Sequence, residues 1–156
     1  MNISYEFYPP KDKNYKKVVE EYSSLKSFGP RFISITYGAL GSSQEKSVGL
    51  IKAFRNSVDV EIAAHLTLVG KSRNDLTLIV NEFSKLGVNK IVAIRGDVAD
   101  GKFTTHQDGF YNTADFVEFL ISKGMEVFVS AYPEHHPDSE GFDFDLNLLK
   151  AKSIAG

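Results

Sequence analysis

The amino-acid sequence predicts an α/β fold of the (β/α)-barrel class, with about five strand–helix units, and three observations lead to it. Strand-like apolar runs alternate with segments of helical period along the whole chain. The runs recur at a spacing of about thirty residues, which is the size of a βαβ unit. Each run also ends in a polar side chain, and barrels build their sites from residues at several strand ends that converge on one mouth.

The fourth predicted strand is the clearest of the five. Its residues 91–94 form an unbroken apolar run, which is typical of a strand buried on both faces of a parallel sheet. Charge follows only where this run stops, at Arg95 and Asp97 on either side of Gly96. The five predicted strands cover residues 3–7, 32–36, 62–66, 91–94 and 127–131.

Five helices are predicted, one after each strand, because apolar residues recur at spacings that share one helical face. Ser72 followed by Asp75 indicates a capping box at the start of the third helix. The last helix is predicted around residues 144–154. The apolar faces of the first four helices consist of Tyr15, Val18, Val19, Tyr22 and Leu25; Val48, Ile51 and Phe54; Leu76, Ile79, Val80, Phe83 and Leu86; and Phe116, Val117 and Leu120.

Composition narrows the class of protein. A chain of 156 residues with 42% hydrophobic and 24% charged residues is expected to fold as one globular domain. A net charge of -2 gives no electrostatic case for nucleic acid or an anionic membrane, and no apolar run is long enough to span a bilayer. The lack of cysteine excludes thiolate metal sites and thiol nucleophiles, and it fits a cytoplasmic protein.

Alternating strands and helices by themselves permit either a doubly wound sheet or a barrel. A dinucleotide-binding Rossmann sheet would need a Gly-x-Gly-x-x-Gly turn after the first strand, where this sequence has Pro9-Pro10. The polar strand ends therefore favour the barrel. An eight-stranded barrel typically takes about 250 residues, so the chain is expected to supply an incomplete one.

Two strand ends carry side chains suited to acid–base chemistry. Glu6 lies between aromatic residues, and a carboxyl desolvated there would favour its protonated form, as a general acid requires near neutral pH. A glutamate that points into water is an equally good interpretation. His65 follows two alanines, but a lone histidine in an apolar run is more often a core residue. No metal site is expected at His135 and His136, because adjacent side chains point apart on an extended chain.

Five segments at the predicted strand ends follow one another in a characteristic order. They are Tyr5-Glu6-Phe7-Tyr8-Pro9-Pro10-Lys11, Ile33-Ser34-Ile35-Thr36-Tyr37-Gly38-Ala39, Ala63-Ala64-His65-Leu66-Thr67, Ile91-Val92-Ala93-Ile94-Arg95-Gly96-Asp97, and Ala131-Tyr132-Pro133-Glu134 with His136-Pro137. Taken in this order, the segments resemble the methylenetetrahydrofolate reductase family, flavoenzymes built on a (β/α)8 barrel. The resemblance covers essentially the whole chain at the family's spacing, and the helix over residues 145–152 looks like the family's next segment.

The resemblance implies reduction of 5,10-methylenetetrahydrofolate to 5-methyltetrahydrofolate, with FAD carrying hydride from NADH or NADPH, in one-carbon metabolism and methionine biosynthesis. Glu6 matches the family's general acid, which helps to open the folate's five-membered ring. Asp97 matches the aspartate near flavin and folate, where a carboxylate would stabilise the resulting cation. Folate and NAD(P)H would be the partners, and the full-length form is expected to be a homo-oligomer. The positions that match cofactor contacts are Thr36, His65, Arg95, Gly96, Asp97, Ser130, Tyr132, His136, Asp145 and Lys152.

Some positions depart from the family's pattern. Leu40, Gln44 and Leu148 stand where the family often has a glycine, a basic residue and a polar flavin contact. Val98-Ala99 replaces a frequent proline pair. Because the sequence ends before the family's next strand, we expect residues 1–156 to be the N-terminal part of the catalytic barrel, with the flavin half of the site mostly present. The alternatives are a non-catalytic flavin- or folate-binding half-barrel and an α/β domain without a ligand.

Overall fold

The computed structural model describes residues 3–37, 44–96, 105–131, 134 and 139–156. All five predicted strands and all five predicted helices are confirmed, and the strand ends shift by one or two residues. None of the helices in these ranges is long and apolar enough to cross a bilayer. The elements are β1 Ser4–Phe7, α1 Tyr15–Leu25, a 3-10 turn Lys26–Phe28, β2 Phe32–Ile35, α2 Gln44–Ser57, β3 Ile62–Thr67, α3 Arg73–Lys85, β4 Lys90–Ile94, α4 Thr113–Ser122, β5 Glu126–Val129 and α5 Phe142–Ala155.

The strands form one parallel sheet in the order β1-β2-β3-β4-β5. A doubly wound sheet reverses its strand order at a switch point, and no reversal occurs in these five strands. Right-handed crossovers between strands in sequential order carry all the helices to the same face of the sheet. The strand order is therefore that of a barrel wall, as the polar strand ends predicted.

The two faces of the sheet differ in chemistry because side chains alternate along each strand. One face packs against the helices and is apolar; its fully buried members include Ile33, Ile35, Leu66, Ile91 and Ala93. The opposite face carries both polar side chains and apolar ones such as Phe32 and Phe128. Its polar residues, matched across the strands by register, include Glu6, Ser34, His65, Lys90 and Glu126.

The sheet is curved, and the face opposite to the helices lies on the concave side. The rings of Phe32 in β2 and Phe128 in β5 lie 4.9 Å apart between centroids, although two strands separate β2 from β5. In a flat sheet these backbones would be about 14 Å apart. Strands β1 and β5 each pair with one neighbour among the described residues and not with each other. The expected curved, unclosed five-stranded sheet is confirmed.

A buried lysine crosses the concave face at the amino ends of the strands. The Lys90 ammonium bridges Glu126 in β5 and, at 3.2 Å, Glu61 just before β3. The hydrogen bond to Glu126 is the main cause that raises the pKa of Lys90. This bridge ties three strands together at the end of the sheet opposite to the predicted site.

The predicted capping box starts α3. The Ser72 side-chain oxygen accepts a hydrogen bond from the Asp75 backbone N–H at 3.1 Å, and the Asp75 carboxylate accepts one from the Ser72 backbone N–H at 3.0 Å. These bonds satisfy amide groups that have no partner within the helix. The start of α3, directly after the β3 strand end, is therefore well defined.

Candidate functional site

Glu6 and His65 meet on the concave face at the carboxyl ends of their strands. Glu6 Oε2 lies 3.4 Å from His65 Nε2, although β2 separates the two strands. Ser34 of the intervening strand β2 is opposite Glu6 in the sheet register and is buried. Curvature of the sheet thus joins two residues that the sequence predicted separately.

The two members of this pair differ in exposure. The His65 side chain is 12% exposed and the Glu6 side chain is 44% exposed. The expectation that aromatic neighbours desolvate Glu6 is therefore wrong in this structure, because Glu6 lies on the open side of the curved sheet. His65 is buried as a core histidine would be, but a carboxylate faces it. Burial lowers the pKa of His65, while the charge of Glu6 acts in the opposite direction, so the ring is neutral at pH 7.

Tyr8 is a second polar neighbour of Glu6. A hydrogen bond to the Glu6 carboxylate raises the pKa of the Tyr8 phenol, and the charge of the carboxylate adds to the effect. The Tyr8 side chain is exposed. The Glu6 carboxylate is consequently oriented by a phenol and an imidazole while one side stays open to solvent.

Thr36 carries a buried hydroxyl without a partner. It directly follows β2 and is 3% exposed, and its Oγ1 has no hydrogen bond among the described residues. Its backbone is fully used: the N–H donates to Phe7 O at 3.1 Å, and the carbonyl accepts from Ser47 Oγ at 2.7 Å. An unpaired buried hydroxyl costs about 1–3 kcal/mol. A polar ligand group at this point would remove that cost, so the position fits a cofactor contact.

Arg95 and Gly96 lie at the end of β4, against the end of β3. The Arg95 carbonyl accepts a hydrogen bond from Val69 N–H at 3.0 Å. Gly96 has φ +90°, and a Cβ there would lie 2.6 Å from Val69 Cγ1 and 2.9 Å from Thr67 Cβ. Both the backbone conformation and the close packing therefore require glycine at this strand end.

Ser130, Asp145 and Lys152 come together at the end of β5 and on α5. Lys152 Nζ donates to the Ser130 carbonyl at 3.2 Å, and the Asp145 carboxylate accepts from Ser139 Oγ at 2.9 Å. Lys152 is buried, which lowers the pKa of its ammonium, and the charge of Asp145 acts in the opposite direction. Three positions that the resemblance matched to cofactor contacts are thus close in space.

The remaining predicted positions, Asp97, Tyr132 and His136, lie outside the described residues. Residues 38–43, which follow Tyr37, lie outside them as well. Within the described part of the chain, no group of three or more histidine, aspartate and glutamate side chains is arranged to hold a metal ion.

One polar group beside this site, Thr67 with Lys71, was not predicted from the sequence. Lys71 Nζ donates to Thr67 Oγ1 at 2.9 Å and lies 5.4 Å from the centre of the Tyr37 ring. Strand alternation could have identified Thr67 as a candidate site residue, because Thr67 follows His65 by two residues and so lies on the same face of β3. Lys71 belongs to no motif, and only the folded chain brings it to the strand end.

Fold and site together define a class: part of a (β/α) barrel, with acid–base and hydroxyl side chains at the carboxyl ends of its strands. A family model described as Methylenetetrahydrofolate reductase matches residues 1–156. The chain belongs to this family.

Curated relatives agree along the whole chain. A 5,10-methylenetetrahydrofolate reductase of Pectobacterium carotovorum is 34% identical over 160 residues, covering 100% of this chain and 52% of the relative. The Escherichia coli K12 protein of the same name is 32% identical, with the same coverage. Methylenetetrahydrofolate reductase (NADH) 1 of Arabidopsis thaliana is 32% identical, covering 99% of this chain and 28% of the relative. The chain spans about half the length of the bacterial relatives.

Solved structures resemble the fold at much lower identity. A Yersinia pestis DHPS with a pterine-sulfa conjugate superposes with a TM-score of 0.58 at 16% identity, covering 99% of this chain and 56% of that chain. Dihydropteroate synthase from Stenotrophomonas maltophilia gives a TM-score of 0.56 at 16% identity. At this identity the likeness bears on the fold alone, and it agrees with part of a (β/α) barrel.

Proposed function

We propose that this chain contributes to the FAD-dependent reduction of 5,10-methylenetetrahydrofolate to 5-methyltetrahydrofolate, with NADH or NADPH as the source of hydride. The observation that carries the proposal is the contact of 3.4 Å between Glu6 and His65 at the carboxyl ends of the strands, in a chain of this family. The carboxyl ends are where barrel enzymes hold their reacting groups. Folate and NAD(P)H are the proposed partners, and the proposed setting is a cytoplasmic homo-oligomer that serves methionine biosynthesis.

Glu6 is the proposed proton donor. Protonation of a folate ring nitrogen helps its five-membered ring to open, and this step needs an acid within hydrogen-bond reach of the nitrogen. The Glu6 side chain is 44% exposed, so a substrate can reach it, while Tyr8 and His65 orient it. Since His65 is neutral at pH 7, it orients the carboxylate without pairing a full positive charge against it. Asp97 is proposed, from the family resemblance, to stabilise positive charge on the opened folate.

FAD is the proposed cofactor, and when bound it would supply the hydride chemistry. The unpartnered Thr36 hydroxyl and the half-buried Arg95 fit a polar cofactor at the ends of β2 and β4. Ser130, Asp145 and Lys152 are the proposed contacts near β5 and α5, where the lysine suits a phosphate. His65, Gly96, Asp97, Tyr132 and His136 complete the proposed set from the resemblance.

The test begins with the flavin. We expect the purified protein, supplied with FAD, to show a flavin absorbance that NADH or NADPH bleaches under anaerobic conditions. A bound flavin that is not bleached would favour a non-catalytic binding module, and the absence of flavin binding would contradict the cofactor.

The second part of the test addresses Glu6 in the active enzyme. Glu6→Gln should retain flavin and its bleaching while losing folate reduction by a factor of about 100 or more, as removal of a general acid does. Glu21→Gln, on the exposed side of α1, is the matched control and should keep the activity. Unchanged turnover of Glu6→Gln with methylenetetrahydrofolate would remove Glu6 from the mechanism.

A further inference from the structure

Lys71 is a half-buried lysine beside the proposed site, and the proposed reaction does not use it. It follows β3 by four residues, donates to Thr67 Oγ1 at 2.9 Å, and lies 5.4 Å from the centre of the Tyr37 ring. Tyr37 directly follows Thr36, and Thr67 shares a face of β3 with His65. The ammonium therefore stands over the carboxyl ends of β2 and β3, the strands that carry Thr36 and His65.

The Lys71 backbone is held on two sides. The Lys71 N–H donates to Leu68 O at 3.2 Å, which closes a turn that has Gly70 at φ +67°. Across the chain, a Cβ on Gly109 would lie 2.6 Å from Lys71 O, so the segment before α4 packs directly on this backbone. The Arg73 N–H also donates to Asp108 O at 3.0 Å. Lys71 is thus positioned before any ligand arrives.

The Lys71 ammonium has unused hydrogen-bonding capacity. It has three N–H donors, and among the described residues only Thr67 Oγ1 accepts from it. Asp75 is the acid that acts on it, but only through charge, since the Asp75 carboxylate is already bonded to the Ser72 N–H and hydroxyl at 3.0 and 2.6 Å. Burial lowers the pKa of Lys71, because a partly enclosed cation without a contacting anion is less stable in its charged form.

We propose that Lys71 and Thr67 form a subsite for a phosphate group of a nucleotide at the mouth of the sheet. Thr67 Oγ1 accepts from Lys71, so its own hydroxyl hydrogen is free to donate to the same oxyanion. A lysine point charge with several donors suits phosphate, whereas carboxylates are more often matched by the planar fork of arginine. The phosphate could belong to the flavin or to the nicotinamide nucleotide, and this part of the inference rests on the proposed function.

The direct test uses inorganic pyrophosphate and the protein without flavin. Calorimetric titration should show saturable binding to the wild type, and Lys71→Met should weaken it by about tenfold or more, the scale of a charge-assisted hydrogen bond. Lys85→Met, at the exposed end of α3, is the matched control and should bind as the wild type does. Thr67→Val keeps the carbon skeleton that packs on Gly96 and removes only the hydroxyl, so it should also bind more weakly.

Three outcomes of this titration would overturn the proposal. The wild type could fail to bind pyrophosphate, Lys71→Met could bind it as tightly as the wild type, or glutarate could bind better than pyrophosphate. Circular dichroism identifies a variant that does not fold. If Lys71→Met is such a variant, Thr67→Val carries the test, and binding equal to that of the wild type would then refute the subsite.

The source of the phosphate is decided by three further ligands. If it belongs to the flavin, Lys71→Met should weaken FAD binding and leave riboflavin, which has no phosphate, unchanged. If it belongs to the nicotinamide nucleotide, NADH binding should weaken instead. Riboflavin binding by the wild type tests the flavin proposal separately, so failure of the subsite and failure of the proposed cofactor give different results.

Discussion

At the scale of single residues, Glu6 and His65 show how one contact can join two very different environments. The histidine is enclosed by the sheet, and burial keeps it neutral against the pull of the nearby carboxylate. The glutamate lies on the open side, where a substrate can reach it. The imidazole and the phenol of Tyr8 orient the carboxylate while it stays open to a substrate.

The burial of His65 predicts a pH dependence of stability. Because the folded-state pKa of His65 lies below its ordinary value of 6.5, the unfolded chain binds a proton first as the pH falls. The contribution of the neutral, buried His65 to the free energy of unfolding is therefore fully present above pH 6.5, and it is lost as the pH falls below that value. Denaturant unfolding between pH 8 and about pH 5 should show this loss, and His65→Gln should reduce it.

Glu6→Gln provides the matched test of this pH effect. Removing the carboxylate lowers the pKa of His65 further, so the loss of stability should continue to lower pH than in the wild type. Identical pH profiles for the wild type and His65→Gln would contradict the assigned burial.

At the scale of elements, the carboxyl ends of β3 and β4 are joined by hydrogen bonds and close packing. Gly96 makes this close approach of the two strand ends possible. The residues after β3 donate N–H groups to the end of β4, from Leu68 to Ile94 O at 3.2 Å and from Val69 to Arg95 O at 3.0 Å. The Gly96 Cα packs directly on Thr67 and Val69. This contact positions Arg95 and also the Thr67 hydroxyl that holds Lys71.

Gly96→Ala should destabilise the protein more than a glycine substitution of similar backbone conformation. Gly124, at φ +78° after α4, has nothing within 4 Å of an added Cβ, so Gly124→Ala carries only the backbone cost, about 1–2 kcal/mol. Gly96→Ala adds a steric overlap worth about 1–3 kcal/mol more. The free energies of unfolding of the two variants measure this difference. Equal losses would mean that the strand ends relax easily and are not locked.

At the scale of the whole molecule, the described chain leaves two kinds of surface without partners. The outer edges of β1 and β5 have no strand beside them among the described residues. Helix α5 buries little besides Lys152, and its exposed large apolar residues are Phe142, Phe144, Leu146 and Ile154. Unpaired strand edges and grouped apolar side chains both favour association with another chain.

We therefore expect the 156-residue chain to associate in a concentration-dependent way. Light scattering during size-exclusion chromatography at increasing protein concentration measures it. Replacing Phe144 and Ile154 by glutamate should reduce the association, because charge opposes apolar contact on α5. Phe28→Glu is the control, since this exposed ring lies in the turn after α1. A single monomeric species at all concentrations would contradict the expectation.

Much of this architecture was readable from the sequence because its signals are local. Strand and helix periods depend on residues a few positions apart, so the five strands, the five helices and the Ser72 cap were predicted closely. The polar strand ends predicted the barrel, and the sequential strand order agrees. The same reasoning identified Glu6, Thr36 and His65 as candidates, since a polar residue at the end of an apolar run is visible without any contact.

Contacts between distant segments, and the solvent exposure of each side chain, could not be predicted from local sequence patterns. Curvature brings Phe32 to Phe128 and Glu6 to His65, and no local pattern records how strongly a sheet bends. The same holds for the Lys90 bridge and for Lys71, whose partners come from other elements or from across a turn. Exposure is also a property of the whole fold, which is why the predicted desolvation of Glu6 was wrong. Local sequence patterns set the elements and the face on which each side chain lies, whereas the packing of those elements sets which side chains meet.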